Sequence, residues 1–129
     1  MTKIHQLFTC LFLCLLLACS GSDTYRGNWK AVSDDGNQFD MIFQEDQMIF
    51  KMSDTDSTVF NYSQMGISIR GGRSQDIIRL EGGTRYFIQF PVDDDESKGL
   101  ILDSFGEKRY SINRTNHMPL DEIEMYEFD

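Results

Sequence analysis

The chain has 129 residues, of which 40% are hydrophobic and 26% are charged, and its formal net charge at pH 7 is −9. This length suits one globular domain rather than two, and the hydrophobic share is too high for a wholly disordered chain. The negative charge argues against nucleic acid as a partner, because phosphate binding needs a surplus of lysine and arginine.

The first residues have the layout of a cleaved leader. Lys3 gives a positive start, and the apolar run that ends at Ala18 is about a dozen residues long, too short for a transmembrane helix of about 20 residues. The run ends in Leu16-Leu17-Ala18-Cys19, which resembles the lipobox of bacterial lipoproteins. The resemblance implies a signal peptide over residues 1–18, cleavage before Cys19 and a diacylglyceryl group on the Cys19 thiol.

A short polar tether, residues 19–24, follows the cleavage site. Ser20 rather than an aspartate follows Cys19, and by resemblance to lipoproteins of diderm bacteria this implies an outer-membrane anchor, facing either the periplasm or the outside. Cys10 and Cys14 leave with the leader, so we expect a mature chain without a disulfide. Apart from the covalent lipid on Cys19, no cofactor is expected.

After the tether the pattern is that of β-strands. The clearest pair joins Gln38–Gln44 to Gln47–Ser53 around Glu45-Asp46. One register places an apolar set on a single face and pairs Asp40 with Lys51 on the other, and a slip by one residue would destroy both features. The apolar set, expected to line the core or a ligand site together with Trp29, is Phe39, Met41, Phe43, Met48, Phe50 and Met52.

Further strands are predicted at close spacing over the rest of residues 25–115. They are Tyr25–Val32, Ser57–Tyr62, Gly66–Arg70, Asp76–Leu80, Thr84–Phe90, Gly99–Ser104 and Lys108–Asn113. Eight or nine short strands with no long helical period indicate an all-β fold, and closure of an antiparallel meander into a small barrel would remove exposed sheet edges.

Gly27-Asn28-Trp29 lies on the first predicted strand. A Gly-x-Trp at this place resembles the pattern of lipocalin-like proteins, in which the tryptophan closes one end of the barrel. The resemblance implies that an arginine from a late strand packs on Trp29, and Arg109 or Arg114 could serve.

Few residues suit covalent or metal chemistry. The mature chain keeps one histidine and no free thiol, so neither a nucleophilic catalytic site nor a zinc site is expected. We therefore expect no catalytic residues, no metal ligands and no enzymatic activity.

Two features favour a partner surface. Four arginines near Gly-Gly turns, expected at one end of the sheet, could meet an anionic ligand or partner, namely Arg70, Arg73, Arg79 and Arg85. A hairpin around Gly82-Gly83, pairing Ile77 with Ile88 and Ile78 with Phe87, would be apolar on both faces and leave Ile78 and Phe87 as docking candidates. The alternative is that the second face is covered, with the C-terminal tail as the candidate segment.

The acidic tail, residues 116–129, either packs on the barrel or binds a partner, and packing is favoured. The composite expectation is a membrane-anchored, non-enzymatic accessory module of a bacterial cell-envelope assembly, with a protein partner. The alternatives are a lipocalin-like carrier of a small apolar ligand and an inhibitor of a periplasmic enzyme. The partner role is favoured because these side chains should fill so short a barrel.

Overall fold

The computed structural model describes residues 24–70, 72–92 and 95–125, and of Arg70 it describes the backbone. The leader, the lipobox, Cys19 and most of the tether lie outside the described residues. So do Gly71, Asp93, Asp94 and the last four residues of the tail.

Within the described residues, eight antiparallel strands form a closed barrel in chain order, and β8 pairs with β1. They are β1 (Gly27–Ser33), β2 (Gln38–Phe43), β3 (Gln47–Lys51), β4 (Ser57–Arg70), β5 (Arg73–Leu80), β6 (Arg85–Gln89), β7 (Lys98–Leu102) and β8 (Lys108–Asn113). A short helix, α1 (Leu120–Glu124), follows them. The prediction of a small all-β meander barrel is confirmed, and the described residues contain no cysteine that could form a disulfide.

The two strands predicted over Ser57–Tyr62 and Gly66–Arg70 are one long strand, β4. Its first part pairs with β3 and its second part pairs with β5, and an irregularity between Gln64 and Gly66 absorbs the change of direction. The barrel therefore has eight strands, the lower of the two numbers expected from the sequence.

The predicted β2–β3 hairpin is confirmed in register. Met41 pairs with Phe50 and Phe43 with Met48, and all four side chains are buried. Asp40 is indeed the register partner of Lys51, but its ion pair is with Lys30 on β1, where Nζ lies 3.0 Å from Oδ1. The predicted cross-strand pairing of Asp40 with Lys51 is therefore confirmed, and Asp40 forms its ion pair with the neighbouring strand on its other side.

The register predicted around Gly82-Gly83 is wrong by one residue. Ile77 pairs with Phe87 and Ile78 with Tyr86, because the turn spans three residues and Leu80 N–H donates to the carbonyl of Thr84 at 2.7 Å. Gly83 has a φ of +99°, which fits the left-handed last residue of a three-residue hairpin loop. The extra loop residue shifts β6 by one position against β5. Ile78 therefore points into the barrel, whereas Phe87 points outward.

Two apolar clusters divide the buried residues. The larger fills the barrel and includes Trp29, Met41, Met48, Ile78 and Ile88, all at most 1% exposed. The smaller lies outside the sheet, where the C-terminal segment covers β6 and β7. It contains Leu100, Leu102, Met118 and Ile123, with Phe87 and Leu120 packed against it.

The meander gives the barrel two distinct ends. Four connections lie at one end, here called the mouth, and they span residues 34–37, 52–56, 81–84 and 103–107. Residue 24 enters and β8 leaves at the opposite end, here called the closed end, which also holds the connections before β3, β5 and β7.

Candidate functional site

A cleft of about 510 Å³ opens at the mouth of the barrel. This volume lies within the usual range of small-molecule sites, about 300–1,000 Å³. Its walls come from the four connections at the mouth and from the strand ends beside them. The lining residues are Ser33, Asp34, Asp35, Asn37, Phe39, Phe50, Met52, Thr84, Tyr86, Asp103, Arg109 and Tyr110.

Aromatic rings form the floor of the cleft. Phe39 stacks on Phe50 with ring centroids 5.3 Å apart, and Tyr110 meets both rings edge-on at 5.7 and 5.6 Å. Phe60 and Tyr86 extend the group on either side. Burial, together with the neighbouring Tyr86, raises the pKa of Tyr110, so its hydroxyl stays protonated across the physiological range. The floor therefore offers apolar ring surface together with the neutral hydroxyl group of Tyr110.

The rim is charged and centres on Arg109. Its Nε lies 2.9 Å from Asp103 Oδ2 and its Nη1 lies 3.1 Å from Asp34 Oδ2, and Glu107 approaches Nη2 at 3.4 Å. The hydrogen bonds that Arg109 donates to Asp103 and Asp34 raise the pKa of Arg109. This network links the β1–β2 and β7–β8 connections across the mouth.

Asp103 also shapes its own turn. Its Oδ1 accepts hydrogen bonds from the N–H groups of Phe105 and Glu107, at 2.9 and 3.0 Å. Desolvation opposes ionisation of Asp103, but these bonds and Arg109 outweigh it, so the pKa of Asp103 is lowered. Gly106, with a φ of +82°, completes the turn.

The apolar set predicted to line the core or a ligand site divides between these regions. Phe39 and Phe50 line the cleft, whereas Met41, Phe43 and Met48 fill the interior below it. Met52 is not a core residue, because β3 ends at Lys51 and the Met52 side chain stands half exposed on the rim. The expectation that side chains fill the barrel is therefore right for the lower part and wrong at the mouth.

The closed end is sealed by Trp29 and Arg114. The Arg114 guanidinium carbon lies 3.5 Å from the centre of the Trp29 ring, and its nitrogens donate to the carbonyls of Asn28, Thr24 and Arg26 at 2.7–3.0 Å. Of the two arginines proposed for this contact, Arg114 makes it and Arg109 lies at the mouth. Gly27 has a φ of +100°, a backbone conformation that residues with a side chain rarely adopt, and a Cβ there would also lie 3.1 Å from Arg114 Nη1.

Ile78 and Phe87, which were proposed for a partner surface, do not form an exposed surface. Ile78 is fully buried inside the barrel. Phe87 faces outward but packs under the C-terminal segment beside Leu120. The alternative that the tail covers this face is confirmed for the part of the tail that the structure describes.

The four arginines do not share one end of the sheet. Arg70 and Arg73 are register partners beside the β4–β5 turn, whereas Arg79 and Arg85 are partners beside the β5–β6 turn. The six positions between Arg73 and Arg79 on one strand correspond to about 20 Å. Arg73 also donates a hydrogen bond to the Pro91 carbonyl. The predicted arginine cluster is therefore two separate pairs.

Sequence reasoning did not select Tyr86, Asp103, Arg109 and Tyr110 as residues of one site. Tyr86 and Tyr110 come together at the mouth because β6 and β8 pair with the two sides of β7. The Asp103–Gly106 turn was the available local signal, since aspartate and glycine at this spacing are typical of a hairpin turn.

A comparison of the chain with family models, curated proteins and solved structures finds no match in any of the three. Among residues 24–70, 72–92 and 95–125, no helix is long and apolar enough to cross a membrane. In the same part of the chain, no three histidine, aspartate or glutamate side chains are grouped so that they could hold a metal ion.

Proposed function

We propose that the chain is a non-enzymatic binding module of a bacterial cell envelope, anchored through Cys19, and that the mouth cleft binds a small ligand with an apolar body. The proposal rests on the cleft of about 510 Å³, which has a floor of aromatic rings and opens at the mouth of the barrel. Among the described residues, the opposite end is closed by Trp29 and Arg114. Such concave, mainly apolar sites with a few polar groups are typical of small-molecule binding.

The arrangement of the two ends supports a carrier role. The Trp29–Arg114 contact seals the end where the chain enters, and the cleft lies at the other end, as the lipocalin-like resemblance implies. Residues 19–23 separate Cys19 from the described chain, a reach of at most about 18 Å. A lipid on Cys19 would thus hold the closed end near the bilayer and leave the mouth facing away.

Titration with N-phenylnaphthylamine, a neutral apolar dye, tests the proposal. Saturable binding at one site is expected, and Tyr86→Ala should weaken it several-fold, because an aromatic contact contributes about 0.5–1.5 kcal/mol beyond its buried area. Phe105→Ala is the matched control, since Phe105 is 89% exposed on a mouth connection and does not line the cleft. Absence of saturable binding, or equal effects of the two changes, would contradict the ligand site.

A second candidate, docking of an envelope protein, is favoured by the outer part of β4. Residues 63–70 pair with β5 on one side, whereas the β3 pairing ends at Asn61. Ile67 and Ile69 on this segment are 57% and 78% exposed. A strand segment that pairs on one side within the described part of the chain and carries exposed apolar side chains suits strand addition by a partner. Ile69→Lys should then abolish cross-linking of the lipoprotein to an envelope protein, while Val59→Lys should not.

The anchor has its own test. Cys19→Ala should abolish incorporation of radioactive fatty acid and release the protein from the membrane fraction. Labelling that persists in this variant would contradict the lipobox interpretation and leave the ligand site unaffected.

A further inference from the structure

We infer that the mouth cleft selects ligands that carry a cationic head group on their apolar body and discriminates against anionic ones. The inference rests on the proposed ligand-binding function and adds the charge class of the ligand. Its basis is the combination of an acidic rim with an aromatic floor.

The charge of the rim is unbalanced. Among the described residues that line the cleft, the carboxylates of Asp34, Asp35 and Asp103 stand against the single guanidinium of Arg109, a net charge of −2. Charged groups around a cleft determine which ions gather there, and low-dielectric walls strengthen the effect. A cationic head group would reduce the repulsion among these carboxylates, whereas an anionic head group would add to it.

Arg109 does not compensate for the negative charge of the rim when an anionic ligand approaches. Each of its nitrogen atoms already faces a carboxylate, Asp103 at Nε, Asp34 at Nη1 and Glu107 at Nη2. A ligand carboxylate would have to replace one of these partners, and the displaced carboxylate would remain beside it. Arg109 is therefore better described as a brace between the two connections than as an anion receptor.

Asp35 is the carboxylate best placed to accept a cation. Its hydrogen-bond partners are the Ser33 hydroxyl and the Asn37 amide, both neutral. The Ser33 hydroxyl lowers the pKa of Asp35, so the group is ionised at neutral pH. Its charge thus faces the solvent at the rim with no described cation bound to it, unlike the charges of Asp34 and Asp103.

The floor complements the rim. Aromatic rings attract alkylammonium groups through their electron-rich faces, by about 0.5–2 kcal/mol, and they also bury alkyl chains. The rings of Phe50, Tyr86 and Tyr110 line the same cleft as the carboxylates, so one ligand can place its cation at the rim and its chain on the floor.

Three compounds that share an eight-carbon alkyl chain test the inference, namely octyltrimethylammonium, octanesulfonate and 1-octanol, each used to displace N-phenylnaphthylamine from the full-length protein at 20 mM salt. Octyltrimethylammonium should bind at least tenfold more tightly than octanesulfonate, with octanol between them. The ratio should shrink at 500 mM salt, because screening weakens exposed charges.

Asp35→Asn should lower the ratio several-fold and keep the turn, since asparagine also accepts the Ser33 hydrogen bond. Asp46→Asn, an equally exposed change at the closed end, should leave the ratio unaltered. Equal or tighter binding of octanesulfonate would overturn the charge selectivity and leave the ligand site standing. Failure of all three compounds and of the dye to bind would overturn both proposals.

Discussion

Ile123→Ala tests whether the C-terminal segment is part of the folded domain. Ile123 is fully buried, and α1 contacts the barrel through β7 and β8. Removing its three outer carbons forfeits about 0.8 kcal/mol for each and leaves a cavity. Because a five-residue helix at the surface can relax into part of that cavity, we expect a loss of about 2–3 kcal/mol, in the lower part of the range for such changes.

Urea unfolding of the mature domain followed by circular dichroism measures this loss. A decrease of this size lowers the melting temperature by roughly 8–15 °C for a domain of about 100 residues. The matched control is Met125→Ala, two positions further on and 73% exposed, which should stay within about 0.5 kcal/mol of the parent. Equal stability of the two variants would refute the conclusion that the tail is structural, and Phe87 would again be a docking candidate.

Three further changes follow from single contacts. Arg114→Met removes the Trp29 contact and three hydrogen bonds to carbonyls, so thermal unfolding should show a loss of about 2–4 kcal/mol. Gly99→Ala places a Cβ 2.9 Å from Ile112 Cγ1, and chemical denaturation should show a loss of about 1–3 kcal/mol. The Ser97 hydroxyl, the Ser97 N–H and Lys98 lower the pKa of Asp95 to about 2. The resulting stabilisation is present above about pH 4 and is lost as the pH falls through 2. At neutral pH, Asp95→Asn should therefore lower the free energy of unfolding by less than about 1 kcal/mol, and this difference from the parent should vanish in acid.

Much of the fold was predictable because the strands alternate apolar and polar residues. The β2–β3 register followed from one apolar face, and the structure reproduces it. The β5–β6 register did not, because Ile77, Ile78, Phe87 and Ile88 are apolar on both faces and the pattern permits either alignment. Only the turn geometry at Gly83 decides between them, and a sequence with two adjacent glycines leaves the loop length open.

The sealed end was predictable from the lipocalin-like resemblance that Gly27-Asn28-Trp29 carries, whereas the cleft was not. Gly27 and Trp29 stand two residues apart, and the arginine that completes the contact follows the last strand. The mouth brings together residues that are more than 70 positions apart, such as Asp34 and Arg109, and their proximity depends on closure between β1 and β8. Arg109 and Arg114 were the two late arginines proposed for the contact with Trp29. Arg114 makes this contact, whereas Arg109 lies at the mouth.

The two ends differ in what holds them, and this difference is the physical basis of the proposed binding role. At the closed end, Arg114 and Trp29 bond to main-chain carbonyls, so packing and backbone geometry are fixed together. At the mouth, ion pairs between exposed side chains join the connections, and such pairs contribute little stability each. Binding at the mouth should consequently depend on salt more strongly than unfolding does.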